Sequence, residues 1–140
     1  MAKLRHIAIA TKDADATAEF YKQAFDMKEM SRVDHPLGYA IVLSDGTMNF
    51  TVVRFKGKDQ LGKGLDYVGL HHIGFLVDDV DAASEKLEGL GAKCFLPRPK
   101  NAEDQTAGFE VKHYGPDGVV IDVCEHPWMG AAPLEKAAAV

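Results

Sequence analysis

The sequence predicts an α+β fold of two tandem βαβββ modules, and three observations carry that prediction. Residues 5–11 and 69–77 are both β-rich runs of period two that set a histidine, His6 or His72, on the face opposite large apolar side chains. Each run leads into an Asp-rich segment and then a stretch with apolar residues at helical spacing. Each helix is followed by three further β-rich runs, so the same order of elements occurs twice, and a repeat of this kind organises the whole fold. The 140 residues are expected to form one domain: module 1 about 4–55, a linker at 56–67, module 2 about 68–126 and a tail at 127–140.

In module 1 the first strand puts His6, Ala8 and Ala10 on one face and Ile7 and Ile9 on the other. Asp13 is suited to cap a helix running to about Phe25, with Ala14, Thr17, Tyr21 and Phe25 as its buried stripe. Strands follow at 28–33, 39–44 and 47–54, the last two separated by the Asp45-Gly46 turn. In module 2, His72, Gly74 and Leu76 share a face, opposite Ile73, Phe75 and Val77, so space is left next to an imidazole. A helix with Val80, Ala83, Leu87 and Leu90 as its stripe comes next, closed by Gly89 and Gly91. Strands at 92–96, 109–114 and 119–124 complete the module, with a turn at 115–118. The polar segment 97–108 reads as a lid or an insertion, and the Ala-rich tail as a short helix or a frayed end.

Within residues 119–124, Asp122 stands among apolar neighbours, which is costly unless a cation or a donor meets it. It could serve as a metal ligand, pair with Lys112, or accept backbone donors. Asn49 takes the corresponding place in module 1 if the turn at 45–46 is one residue shorter. Two imidazoles, a carboxylate and an amide thus fall on corresponding faces, and if the modules pair about a pseudo-twofold axis those faces line one cavity. Such a set suits a divalent ion with open positions: Zn, Fe(II), Mn, Co or Ni. His71 falls one position off this face and reads as structural or surface. Phe109, Val111 and His113 share a face, which leaves Glu110, Lys112 and Tyr114 as cavity groups. Glu125 and His126 read as rim residues, and Trp128 as a cavity lid or tail packing.

Bulk properties exclude other classes. A net charge of -5 without a Lys/Arg cluster argues against a nucleic-acid surface, and no apolar run is long enough to span a bilayer. Cys94 and Cys124 show no metal spacing and no disulfide framework, and the N-terminal residues lack a signal-peptide core, so a cytoplasmic protein is expected.

Over residues 4–126 the sequence resembles the vicinal-oxygen-chelate superfamily, also called glyoxalase/bleomycin-resistance/dioxygenase. The resemblance rests on His6-Ile-Ala-Ile, Phe20-Tyr21 with Phe25, His72-Ile-Gly-Phe with Val77-Asp-Asp79, and Pro116-Asp-Gly118 with Ile121-Asp-Val123. It implies paired βαβββ modules forming a curved half-barrel sheet around a cavity, with the helices outside and a homodimer as the usual assembly. It also implies a divalent metal on His6, Asn49, His72 and Asp122. The implied activity is a metal-dependent lyase or isomerase, working through a metal-stabilised enediolate or enolate on a small substrate with two vicinal oxygens. Its base would be a metal hydroxide, Glu110 or Tyr114.

Asn49 departs from the Glu of glyoxalase I-like members and is nearer to the amide of epimerases resembling methylmalonyl-CoA epimerase. A thioester or thiol-conjugate substrate follows only from this resemblance. Two other readings stand beside it. One is a metal-free, ligand-sequestering protein of the bleomycin-resistance type. The other is an extradiol-type dioxygenase, disfavoured because Lys112 stands where that motif has Tyr and because no His lies between His72 and His113.

Overall fold

The computed structural model describes residues 1–57, 62–98 and 110–135. Module 1 supplies β1 (Ala2–Ala10), α1 (Ala14–Phe25), β2 (Lys28–His35), β3 (Gly38–Ser44) and β4 (Asn49–Phe55). Module 2 supplies β5 (Gly69–Val77), α2 (Val80–Gly89), β6 (Lys93–Leu96), β7 (Val111–Tyr114) and β8 (Val120–Cys124). Both helices start as expected, on aspartates in extended conformation whose carboxylates accept a backbone N–H: Asp13 from Ala16 and Asp79 from Ala82.

All eight strands join one sheet in the order β2-β3-β4-β1-β5-β8-β7-β6. This corrects the expected half-barrel: the sheet is open, with β2 and β6 as free edges, and does not curl around a cavity. The modules meet edge to edge through antiparallel pairing of β1 with β5, so each face continues across the join, and among the described residues the end strands β2 and β6 do not pair to close the sheet.

Helix α1 covers module 1 through Ala14 and Ala18 against Ile41, Leu43 and Val52, with Tyr21 packed alongside. Helix α2 covers module 2 through Val80, Ala83 and Leu87 against Val77, Val111 and Val123. Burying each large aliphatic side chain in these clusters stabilises the fold by roughly 1.5–3 kcal/mol. The expected stripes overreach at their ends: Phe25, the last residue of α1, is 67% exposed, and Leu90, which caps α2, is 79% exposed.

Of the tail, residues 136–140 lie outside the described residues; residues 127–132 form a strap across module 1, neither helical nor frayed. Ser44 Oγ donates to the carbonyl of Gly130 at 2.6 Å, the Ala132 amide to Thr47 O at 2.9 Å, and Arg5 Nε to Ala132 O at 3.0 Å. Gly130 has φ +77, and a Cβ there would stand 2.7 Å from Ser44 Cβ, so this close crossing requires glycine. The proposed lid at 97–108 and the strand position Phe109 lie outside the described residues, apart from Pro97 and Arg98.

Candidate metal centre

The helix-free face of the sheet carries the site. His6 on β1 and His72 on β5 come from the two strands of the seam, and Asp122 on β8 lies beside β5, opposite Gly74. His6 Nε2 and His72 Nε2 are 2.9 Å apart, and His72 Nε2 is 3.3 Å from Asp122 Oδ2. One donor atom from each residue lies within 4.8 Å of both others, and all three side chains are buried. Asp122 Oδ2 has no hydrogen-bond partner despite that 3.3 Å approach. An orphaned buried carboxylate oxygen facing two imidazole nitrogens is an unsatisfied arrangement without a cation. Ligands at ~2.0–2.2 Å from a common ion stand about 3 Å from one another, so the spacing and the His/His/Asp donor set both fit a divalent metal.

Neighbours fix how the ligands face. Asn49 Nδ2 donates to Met129 O at 2.9 Å, so its Oδ1 is the atom turned to His6 Nδ1, 2.6 Å away, and to the Thr51 hydroxyl at 2.7 Å. His6 therefore carries its proton on Nδ1 and presents the Nε2 lone pair to the centre. His71 Nδ1 lies 2.7 Å from His72 Nδ1 and can accept the proton His72 must hold there for its own Nε2 to be free. On the far side, Lys112 Nζ donates to Asp122 Oδ1 at 2.7 Å and to Glu110 Oε2 at 3.3 Å. Trp128 Nε1 donates to Glu110 Oε1 at 2.7 Å, and the indole stacks on His6 with centroids 4.9 Å apart and planes 10° apart. Strap and sheet together line an open cleft of about 390 Å3 bordered by His6, His72, Asn49, Thr51, Glu110 and Trp128 among others.

The electrostatics follow from burial. Desolvation, with the Lys112 charge and the neighbouring imidazoles, pushes His72 down to about 2. Burial lowers His6 as well, partly offset by its bond to Asn49. Both imidazoles are thus neutral and ready to ligate at physiological pH. Asp122 moves the other way: desolvation raises it, Glu110 adds to the rise, and Lys112 only partly offsets it. Burial works to raise Glu110, but the Lys112 ammonium and the Trp128 N–H outweigh it and hold the carboxyl below its usual range. One carboxylate stays charged beside the cavity while the other gains from a cation.

Several expectations change here. By strand register the module 1 counterpart of Asp122 is Thr51, not Asn49. His6 pairs with Asn49 and Ala8 with Thr51 in module 1, whereas His72 pairs with Val120 and Gly74 with Asp122 in module 2. Asn49 matches Val120, and its contacts are those of a group orienting His6. His71 is not at the surface. Ile9 pairs with Leu70 and Ala8 with His72, so His71 is the extra residue of a β-bulge, 2% exposed, its ring tilted 30° against that of Phe55 with centroids 4.6 Å apart. Glu110 and Lys112 are brought to the site; Tyr114 is not, since its ring stacks on Phe95 at 4.1 Å toward the β6 edge. Glu125 accepts the Val80 amide at the start of α2 and pairs with Arg98. Sequence reasoning missed Thr51 and the Met129 carbonyl; only the Trp128-Met-Gly130 run, an aromatic before a glycine, hinted at the strap.

A family model described as the glyoxalase/bleomycin resistance protein/dioxygenase superfamily matches residues 3–123. No curated protein matches the sequence. Among solved structures, a Streptomyces coelicolor methylmalonyl-CoA epimerase variant in complex with 2-nitronate-propionyl-CoA is similar, with TM-score 0.68 and 23% identity, over 87% of this chain and 95% of that one. A hypothetical protein from Bacillus halodurans aligns with TM-score 0.70 and 19% identity over 99% of both chains. The methylmalonyl-CoA epimerase of Mycobacterium tuberculosis aligns with TM-score 0.63 and 19% identity, over 93% of this chain and 88% of that one. At these identities the likeness is one of fold.

Proposed function

The chain belongs to the glyoxalase/bleomycin resistance protein/dioxygenase superfamily, and from that premise we propose that it is a metal-dependent isomerase or lyase that moves a proton on carbon. The observation that carries this reading is the convergence of His6 Nε2, His72 Nε2 and the partnerless Asp122 Oδ2 at the edge of an open cleft. Those three residues would hold the ion, which supplies Lewis-acid polarisation of two substrate oxygens and so acidifies the adjacent C–H. Asn49 and His71 keep the imidazoles in the ligating tautomers. Glu110, kept ionised by Lys112 and Trp128, is the group placed to accept the proton. Trp128 roofs His6 and donates to that carboxylate. The low position of Glu110 makes it a weak base at rest; displacement of Lys112 or Trp128 by substrate would strengthen it.

The substrate class we favour is an acyl thioester whose α-carbon bears a hydrogen and a second carbonyl or carboxylate group, so that one oxygen on each side of that carbon can reach the ion. It is supported by the fold's likeness to methylmalonyl-CoA epimerases. A homodimer in the cytoplasm fits the same reading. The test is solvent-deuterium incorporation at the α-carbon of a panel of acyl thioesters and hemithioacetals, followed by NMR with metal-loaded protein. Exchange that is lost in Glu110→Gln and His72→Ala supports the proposal. No exchange on any member of the panel by fully loaded protein would count against it.

A further inference from the structure

On the opposite face of the sheet, under α2, a second group of donors converges. His113 on β7 and Cys94 on β6 are cross-strand partners, and Glu88 reaches them from the last turn of α2. One donor atom of each lies within 4.8 Å of both others. His113 is fully buried, and neither of its ring nitrogens has a hydrogen-bond partner. An imidazole with two unanswered nitrogens in a protein interior is rare, because burial has already removed the water that would satisfy it.

We propose that Glu88, Cys94 and His113 form a second metal site, separate from the His6/His72/Asp122 centre, that takes a thiophilic divalent ion such as Zn2+. Thiolate, imidazole and carboxylate are the three ligand types zinc uses, and a thiolate selects against Mg2+ and Ca2+. With the thiol proton released to solvent, the two anions balance the charge of the ion. The cross-strand pair is held by the sheet, while Glu88 is exposed on a helix end and can swing inward to close the set. Its solvent side leaves the fourth position to water. The two sites do not share a ligand: β7 sends Lys112 to the first and His113, the next residue, to the second. Bound there, an ion would tie α2 to the β6–β7 edge, where the sheet is otherwise narrow.

Cobalt(II) titration of the full chain, kept reduced, tests this. The wild type should take two equivalents, one of them giving the thiolate-to-cobalt charge-transfer absorption that nitrogen and oxygen ligands cannot produce. Cys94→Ser should abolish that absorption and one equivalent, Glu88→Gln should weaken it by tenfold or more, and His72→Ala should leave it intact while removing the other equivalent. Both Cys94 and Glu88 are at least partly exposed, so these variants should fold, which circular dichroism would verify. Absence of the charge-transfer band in wild-type protein, or its persistence in Cys94→Ser, overturns the proposal. A wild type that shows the charge-transfer band but binds only that one equivalent would count against the first site while supporting the second.

Discussion

Replacing Asn49 by alanine separates a residue that orients a ligand from one that is a ligand. Asn49 makes three hydrogen bonds: Oδ1 accepts from His6 Nδ1 and the Thr51 hydroxyl, and Nδ2 donates to Met129 O. At about 1 kcal/mol net apiece, their loss should destabilise the metal-free protein by about 3 kcal/mol. His6 also loses the acceptor that holds its proton on Nδ1, so its Nε2 lone pair no longer faces the centre in every molecule. Loss of such a partner weakens metal binding by about 10–100-fold. Asn49→Asp keeps the acceptor for His6 and forfeits the donor to Met129, so it should lose stability yet retain metal affinity within about tenfold of wild type. Urea unfolding of metal-free protein gives the stabilities, and competition with a chromophoric chelator gives the affinities. If Asn49→Ala binds metal as tightly as wild type, or if the Asp and Ala variants lose affinity equally, the orienting role is wrong.

Three further outcomes follow from the same geometry. Gly74→Ala would bring a Cβ to 2.8 Å from both His6 Cβ and the Trp128 ring; the indole should be pushed from its stack, raising its exposure to fluorescence quenchers and costing about 1–3 kcal/mol. Lys112→Met removes the cation that meets Asp122, so metal-free protein should lose about 3–5 kcal/mol, and added metal should restore most of it in thermal melts; equal loss with and without metal would contradict the pairing. Because burial raises Asp122, a metal must displace its proton once the pH falls below that raised value, whereas His72, lowered to about 2, needs no deprotonation above it. Calorimetric affinity should therefore decline as the pH drops from neutrality toward 5, by up to about tenfold per unit, and a flat profile would contradict the assignment.

The amount of this site visible in the sequence depended on whether a residue's place follows from local periodicity. Period two alone put His6, His72 and Asp122 on the same face of the sheet, because each lies in a run where large apolar residues mark the other face. Asp13 and Asp79 were equally legible as caps. Asn49 was misplaced because its counterpart is decided by the parallel registers of β1 with β4 and β5 with β8, and no turn length reveals those. His71 escaped because a bulge breaks the alternation at that one residue. The open sheet and the strap rest on contacts between distant segments, so composition of the tail, rich in alanine, suggested a helix where Gly130 and Ser44 make a crossing.

Direct measurement of metal bears most closely on all of this. Protein purified without chelator and reloaded with Zn, Mn, Co or Ni should hold an equivalent that survives Cys94→Ser, disappears in His72→Ala, and does so while both variants remain folded. A wild-type chain that refuses every one of those ions, or a His72→Ala chain that binds as the wild type does, would leave two imidazoles and a buried acid facing one another for some other reason.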